Sequence, residues 1–155
     1  MLKVKFKFPQ AIFTTLFTHA KKTAPEEGCG ILAGKDFMIT EFFPLENTAH
    51  SEQFYEMKAE EQFQIIKKIR AKGLKMIGIF HSHPVSLARP SATDIKLAFY
   101  PDVLYFILSL QNPNKPVLKA FWIKDGEVEE EGIEIINEAK ASKSSVKLGR
   151  NFTKR

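Results

Sequence analysis

Two histidines and one aspartate in this chain have the residue types and spacing of metal ligands. The apolar segment 76–80 runs directly into His81 and His83, which predicts a buried strand that ends at the two histidines. Residues i and i+2 of a strand point to the same face, so both imidazoles can reach one ion. Asp94 follows after a short polar loop. Two imidazoles and a carboxylate are a set that catalytic zinc favours, with a fourth position left for water.

The His-x-His pattern is weak by itself, because two surface histidines can flank a serine by chance. The residues around the two histidines strengthen the prediction of a metal site. Segment 81–84 reads His-Ser-His-Pro and segment 91–94 reads Ser-Ala-Thr-Asp, with six residues between them. Together they resemble the motif of the JAMM (MPN+) metalloproteases.

The same family has a glutamate upstream of the histidines. Segment 25–34 resembles its Pro-x-Glu-x-Cys-Gly-x-Leu-x-Gly stretch, which implies that Glu27 is the catalytic carboxylate. Glu26 is the alternative if the register is shifted by one, and a solvated carboxylate at a helix end is the commoner fate of either. Segments 46–49 and 54–57 extend the resemblance, which runs from about residue 8 to residue 123.

The resemblance implies a complete site. One zinc ion per chain is held by His81, His83 and Asp94, and its bound water is the nucleophile. Glu27 is the general base, and Ser91 donates a hydrogen bond to the oxyanion. From its position alone, Ser91 can also be only the N-cap of a helix. Ser82, between the two histidines, is expected to support the ligands or the strand pairing.

The implied activity is that of a zinc-dependent metallopeptidase or isopeptidase. Fully ligated members of the family hydrolyse the amide after a C-terminal Gly-Gly, and small prokaryotic members are associated with ubiquitin-like and sulfur-carrier proteins. Such a protein is therefore the expected partner. Two alternatives remain, a non-catalytic scaffold with the same MPN fold and a nucleic-acid-associated protein that uses a basic tail.

The periodicity predicts an α/β fold with a curved mixed β-sheet flanked by helices. The family resemblance implies that it is a single MPN-like (cytidine-deaminase-like) domain. Helices are expected from Pro9 to about residue 22, at 58–72 and at 92–99. The expected strands are 3–8, 28–34, 37–43, 54–57, 75–82, 103–110, 117–124 and 127–136.

The charge is unevenly distributed along the 155 residues. The chain carries a net charge of +5. Residues 139–155 contain six basic side chains and no acidic one, whereas residues 1–138 contain 17 basic and 18 acidic side chains. We therefore expect a near-neutral catalytic domain at 1–138 and a basic tail at 139–155, which is more typical of a solvated segment than of a nucleic-acid site.

Other features indicate the setting of the protein. Met1–Phe6 alternates like a strand and lacks the apolar core of a signal peptide, and no apolar run is long enough to span a membrane. We expect a cytoplasmic protein without membrane contact. The single cysteine, Cys29, excludes an internal disulfide. His19 and His50 have no ligand-spaced partner and are expected to be surface or capping residues. The residues indicate no particular oligomeric state.

Overall fold

The fold is a single mixed sheet with helices on both faces. The computed structural model describes residues 4–137. The helices are α1 (Gln10–Thr23), α2 (Ala59–Ala71) and α3 (Ala92–Lys96). The strands are β1 (Phe6–Pro9), β2 (Cys29–Lys35), β3 (Met38–Leu45), β4 (Lys75–His83), β5 (Leu104–Ser109), β6 (Val117–Lys124), β7 (Glu127–Glu131) and β8 (Ile133–Ile136).

The sheet is strongly curved. Its strand order is β7-β6-β5-β4-β2-β3-β1-β8, so β7 and β8 lie at opposite edges. These two strands are nevertheless separated in the chain only by Gly132. Because one residue spans less than about 4 Å, the two edges of the sheet must meet there. The sheet therefore curls around α1, which contacts β1, β3, β5 and β8.

Strand β4, which carries the two histidines, is in the middle of this sheet. It pairs antiparallel with β2 and parallel with β5. Its side chains alternate between two cores, since Phe80 packs with α1 residues such as Leu16, whereas Ile79 packs with Ile69 of α2. The alternation directs His81 and His83 to the α2 side. A central, doubly paired strand holds its backbone firmly, so the ligand positions are rigid.

A close approach precedes the histidines on β4. A Cβ atom at Gly78 would lie 2.5 Å from Cε1 of Phe106 and 2.8 Å from the Leu104 carbonyl oxygen. Only glycine leaves room there for the buried Phe106 ring. The Phe106 ring packs against β4 at Gly78, three residues before His81.

The predicted fold class is confirmed, but three predicted elements differ. Segment 54–57 is not a strand, because its backbone bonds to Asn47 and Thr48 instead of to a neighbouring strand. The third helix ends at Lys96, not at residue 99, and the Tyr100 amide donates to the Tyr105 hydroxyl. Segment 127–136 is two strands, not one, broken at Gly132 where the chain passes from one sheet edge to the other.

Two further expectations concern the C-terminal tail and the membrane. The predicted tail at 139–155 lies outside the described residues. Within residues 4–137, every helix is too short or too polar to span a bilayer.

Candidate metal centre

The structure brings the three predicted ligands together in a buried cluster. Nε2 of His81 lies 3.2 Å from Nε2 of His83, and the two nitrogens lie 3.1 and 3.0 Å from Oδ2 of Asp94. All three residues are at most 7% exposed. Among the described residues 4–137, this is the single group of three His, Cys, Asp or Glu side chains that converges closely enough to bind a metal ion.

The distances between the three atoms fit a tetrahedral zinc ion. Ligand atoms at about 2.0–2.1 Å from a tetrahedral ion lie about 3.3 Å from one another. Nδ1 of His83 lies 2.7 Å from the Leu87 carbonyl oxygen, which only accepts, so this nitrogen carries the proton of the neutral ring. In this neutral form, which is the one that ligates metals, Nε2 of His83 directs a lone pair at the Asp94 carboxylate, so that either a proton or a metal ion is needed between the two atoms. A cation between these atoms would relieve that repulsion, so the residues present fit the metal that the sequence predicts.

Asp94 is held by the start of α3. The Ser91 amide donates to Oδ2 of Asp94 at 2.9 Å, and the Asp94 amide donates to Oγ of Ser91 at 3.0 Å. This reciprocal pair is a capping box at the N-terminus of α3. It locks the carboxylate in the orientation that meets the two histidines.

The pKa shifts in the cluster follow from burial and from the close contacts. Burial lowers the pKa of His81, which favours the neutral form that ligates metals. Burial also opposes a charge on His83, but hydrogen bonds with Asp94 and Leu87 outweigh it and raise the pKa of His83. Burial alone would raise the pKa of Asp94, yet the two histidines and the Ser91 amide hold it well below its usual range. Asp94 is therefore an anion that requires a positive partner.

Glu27 is buried directly before β2 and next to the cluster. Its residue is 3% exposed, and Oε1 has no hydrogen-bond partner among the described residues. Burial raises its pKa from 4.5 to about 8, although the charge of His83 opposes the shift. Such a carboxyl exchanges a proton readily near neutral pH.

Glu26 occupies a different environment from Glu27. Its side chain is 35% exposed, and Oε1 lies 3.2 Å from Nδ1 of His50 at the surface. His50 and His19 both lie outside the cluster. Nε2 of His19 faces the Cys29 carbonyl oxygen at 3.1 Å, which ties α1 to β2.

Ser82 joins the strand of the histidines to the segment of Glu27. Its Oγ accepts from the Gly28 amide at 2.7 Å, and its own amide donates to the Gly28 carbonyl at 3.0 Å. The Cα pairing of Cys29 with His81 continues this register. Ser82 is fully buried and points away from the ligands. Its two hydrogen bonds to Gly28 hold the segment of Glu27 against the strand of the histidines, and in this way they set the distance between Glu27 and the candidate ligands.

Ser91 lies at the rim of the cluster with its hydroxyl at an exposed position. Oγ accepts the Asp94 amide, and the hydroxyl proton remains free to donate outward. The position is compatible with both predicted roles, the helix cap and the donor to an oxyanion.

Reasoning from the sequence did not find two residues near the cluster. The Tyr55 ring stacks on the His81 imidazole, with ring centroids 4.7 Å apart and an interplanar angle of 23°. The Asn47 side chain, which is 3% exposed, donates to the Glu27 carbonyl at 3.0 Å. Both residues lie in segments that contributed only to the family resemblance, and no spacing rule connects either of them to a ligand.

The chain is similar to known proteins over most of its length. Residues 9–124 match the model of the prokaryotic homologs of the JAB domain. A CysO-cysteine peptidase of Mycobacterium tuberculosis is 31% identical over 129 residues, which cover 82% of this chain and 88% of that protein. A desampylase of Haloferax volcanii is 36% identical over 102 residues, which cover 61% of this chain and 73% of the relative.

Solved structures resemble the chain as well. The solution structure of a Desulfitobacterium hafniense protein is 38% identical, with a TM-score of 0.79, and the match covers 84% of this chain and 92% of that one. An MPN-domain protein of Archaeoglobus fulgidus shares the fold at 21% identity, with a TM-score of 0.55 and coverage of 85% and 100%. The predicted resemblance is confirmed, and the chain belongs to the prokaryotic members of the JAMM/MPN family.

Proposed function

We propose that this protein is a zinc-dependent peptidase or isopeptidase that hydrolyses the amide after the C-terminal Gly-Gly of a ubiquitin-like or sulfur-carrier protein. The observation that carries the proposal is the convergence of His81, His83 and Asp94 within 3.0–3.2 Å of one another. A buried carboxyl, Glu27, stands beside them. A scaffold without activity would not need a full set of ligands together with a carboxyl of raised pKa.

The chemistry is divided between the ion and the chain. A zinc ion held by His81, His83 and Asp94 would act as a Lewis acid and would lower the pKa of a coordinated water to about 7. Glu27 accepts a proton from the attacking water and donates it to the leaving amine. Burial raises its pKa to about 8 in the metal-free protein, and a bound cation beside it would lower that pKa towards neutral pH, where a general acid–base group works best.

Ser91 contributes a donor for the developing negative charge. Its Oγ is fixed at the start of α3 by the Asp94 amide, so the hydroxyl proton can be directed at the carbonyl oxygen of the scissile amide. A donor held in place before the reaction stabilises the transition state by roughly 3 kcal/mol.

The substrate class rests on the relatives and on the shape next to the site. The relatives are named as a CysO-cysteine peptidase and a desampylase, which points to conjugates of small ubiquitin-like proteins. An open groove of about 210 Å³ borders Tyr55 and is lined by apolar side chains that include Phe54, Leu97, Phe99 and Tyr100. Because Tyr55 borders this groove and stacks on His81, an extended tail that lies in the groove would approach the cluster.

The test is cleavage of defined fusions. The purified, zinc-loaded protein is incubated with ubiquitin-like proteins that end in Gly-Gly and are joined to a peptide or to a lysine side chain, and the products are identified by mass. Cleavage directly after the second glycine is expected. A matched set with valine as the last residue should resist cleavage, because a β-branched side chain keeps the carbonyl from the ligands. Equal cleavage of both sets, or of unrelated unfolded proteins, would make the protein a general peptidase and refute the proposed specificity.

A further inference from the structure

The two histidines of the cluster differ in the contacts that fix their rings. Nδ1 of His83 is bonded to the Leu87 carbonyl oxygen at 2.7 Å. Nδ1 of His81 is buried and has no hydrogen-bond partner among residues 4–137. Metal-ligating histidines are usually fixed by a hydrogen bond from the second ring nitrogen. Another contact must therefore fix the His81 ring.

The Tyr55 ring supplies that contact. It lies nearly parallel to the His81 imidazole, with centroids 4.7 Å apart and planes 23° apart, which is a favourable offset-stacked arrangement. Tyr55 also packs against the core cluster that contains Cys29 and Ile79. The ring therefore cannot swing away, and it restricts rotation of the imidazole about its χ2 bond.

One buried amide holds the backbone on both sides of Tyr55. Asn47 donates to the Phe54 carbonyl at 3.1 Å and accepts from the Glu56 amide at 3.1 Å. The same Nδ2 also donates to the Glu27 carbonyl at 3.0 Å. Asn47 thus links the segment that carries Tyr55 to the predicted general base.

We propose that Tyr55 is the positioning residue of His81 and that Asn47 keeps Tyr55 in register with Glu27. The inference rests on the zinc site of the proposed function. The stack fixes the ring plane so that Nε2 of His81 points at Nε2 of His83 and Oδ2 of Asp94. Without the ring, the imidazole rotates and the three ligand atoms no longer converge.

The test measures zinc affinity and the geometry of the bound metal. Zinc dissociation constants are obtained by competition with a chelator for the wild type, Tyr55→Phe and Tyr55→Leu, and the absorption spectrum of the cobalt-substituted proteins reports the ligand geometry. Tyr55→Phe retains the ring and should stay within about twofold of the wild type. Tyr55→Leu should bind zinc about tenfold more weakly, which is the usual effect of losing a group that orients a ligand, and its cobalt spectrum should change.

A matched control separates positioning from general packing. Phe121 is 5% exposed and belongs to the core cluster against which Tyr55 packs. Phe121→Leu should lower the melting temperature and leave zinc affinity unchanged. If Tyr55→Leu does not fold, Tyr55→Met also removes the ring and replaces it with a flexible unbranched side chain that can adapt to the gap, and the same weakening is expected.

The outcomes distinguish this inference from the proposed function. A folded Tyr55→Leu or Tyr55→Met variant that binds zinc as tightly as the wild type overturns the inference alone. Equal weakening of Tyr55→Phe and Tyr55→Leu also overturns it, since the hydroxyl and not the ring would then be responsible. A wild-type protein that binds no zinc refutes the proposed function itself.

Discussion

Replacement of Glu27 by glutamine should stabilise the metal-free protein at alkaline pH. The same replacement should abolish the activity of the zinc-loaded protein. The Glu27 residue is 3% exposed, and one of its carboxylate oxygens has no partner among residues 4–137. Burial raises its pKa from 4.5 to about 8. Glutamine keeps the size of the side chain and cannot ionise, so it removes the cost of a buried negative charge.

The sign and size of the effect follow from the two pKa values. In the unfolded chain the carboxyl loses its proton near pH 4.5, whereas in the folded protein it retains the proton up to about pH 8. Between these values the folded state binds more protons, so the free energy of unfolding decreases as the pH rises. Above pH 8 the cost reaches at most about 5 kcal/mol. A difference of that size shifts the melting temperature of a protein of this length by at most about 10–20 °C.

The assay is thermal unfolding in the presence of a chelator from pH 5 to pH 9, with Glu26→Gln as the control. The melting temperatures of the wild type and Glu27→Gln should diverge as the pH rises, with Glu27→Gln the more stable. Glu26→Gln should follow the wild type, because the Glu26 side chain is 35% exposed at the surface. Parallel curves for the wild type and Glu27→Gln would refute the raised pKa of Glu27.

Turnover by the zinc-loaded variants tests the register of the catalytic carboxylate. Glu27→Gln should lose at least about a hundredfold in rate, which is typical for removal of a general base, and its zinc content should stay near that of the wild type. Glu26→Gln should lose little. The reverse ranking would assign the base to Glu26.

Two further predictions concern the metal and its support. The protein purified without chelator should contain about one equivalent of zinc by elemental analysis, as expected for a mononuclear site, and a His81→Ala/His83→Ala double variant that still held full zinc would contradict the ligand assignment. Ser82→Ala should destabilise the protein by about 1–3 kcal/mol in denaturant unfolding, since it leaves the buried Gly28 amide without an acceptor; an unchanged midpoint would show that Ser82 does not tie the two strands.

The ligand set could be predicted from the sequence because its geometry is local. A strand places His81 and His83 on one face at a spacing of two residues. Ser91 and Asp94 have the three-residue spacing of a capping box, which by itself positions the carboxylate in the first turn of a helix. The apolar run before His81 indicated a buried strand, and β4 is that strand. Each of these features depends on fewer than about fifteen neighbouring residues, within the range where periodicity is informative.

The elements that were predicted wrongly depend on contacts with other segments of the chain. Segment 54–57 contains two aromatic residues, which are common in strands, yet its backbone is bound by the Asn47 side chain. Residues 127–136 look like one strand, but the curvature of the sheet brings its two edges together at Gly132. In the first place a side chain takes the hydrogen bonds that a neighbouring strand would make, and in the second the strand is divided where the chain passes between the sheet edges.

The sequence predicts a supporting role for Ser82, but the contact partners of Ser82, Asn47 and Tyr55 cannot be read from it, because they are distant in the chain. Ser82 contacts Gly28 across 54 residues of chain, and Asn47 contacts Glu27 across 20. Tyr55 meets His81 by stacking, a contact with no characteristic spacing. These contacts determine where Glu27 and the His81 ring lie relative to each other, whereas the short motif determines only which side chains are present. The motif therefore predicts the type of chemistry, and the distances on which the rate depends are set by contacts between residues that are far apart in the chain.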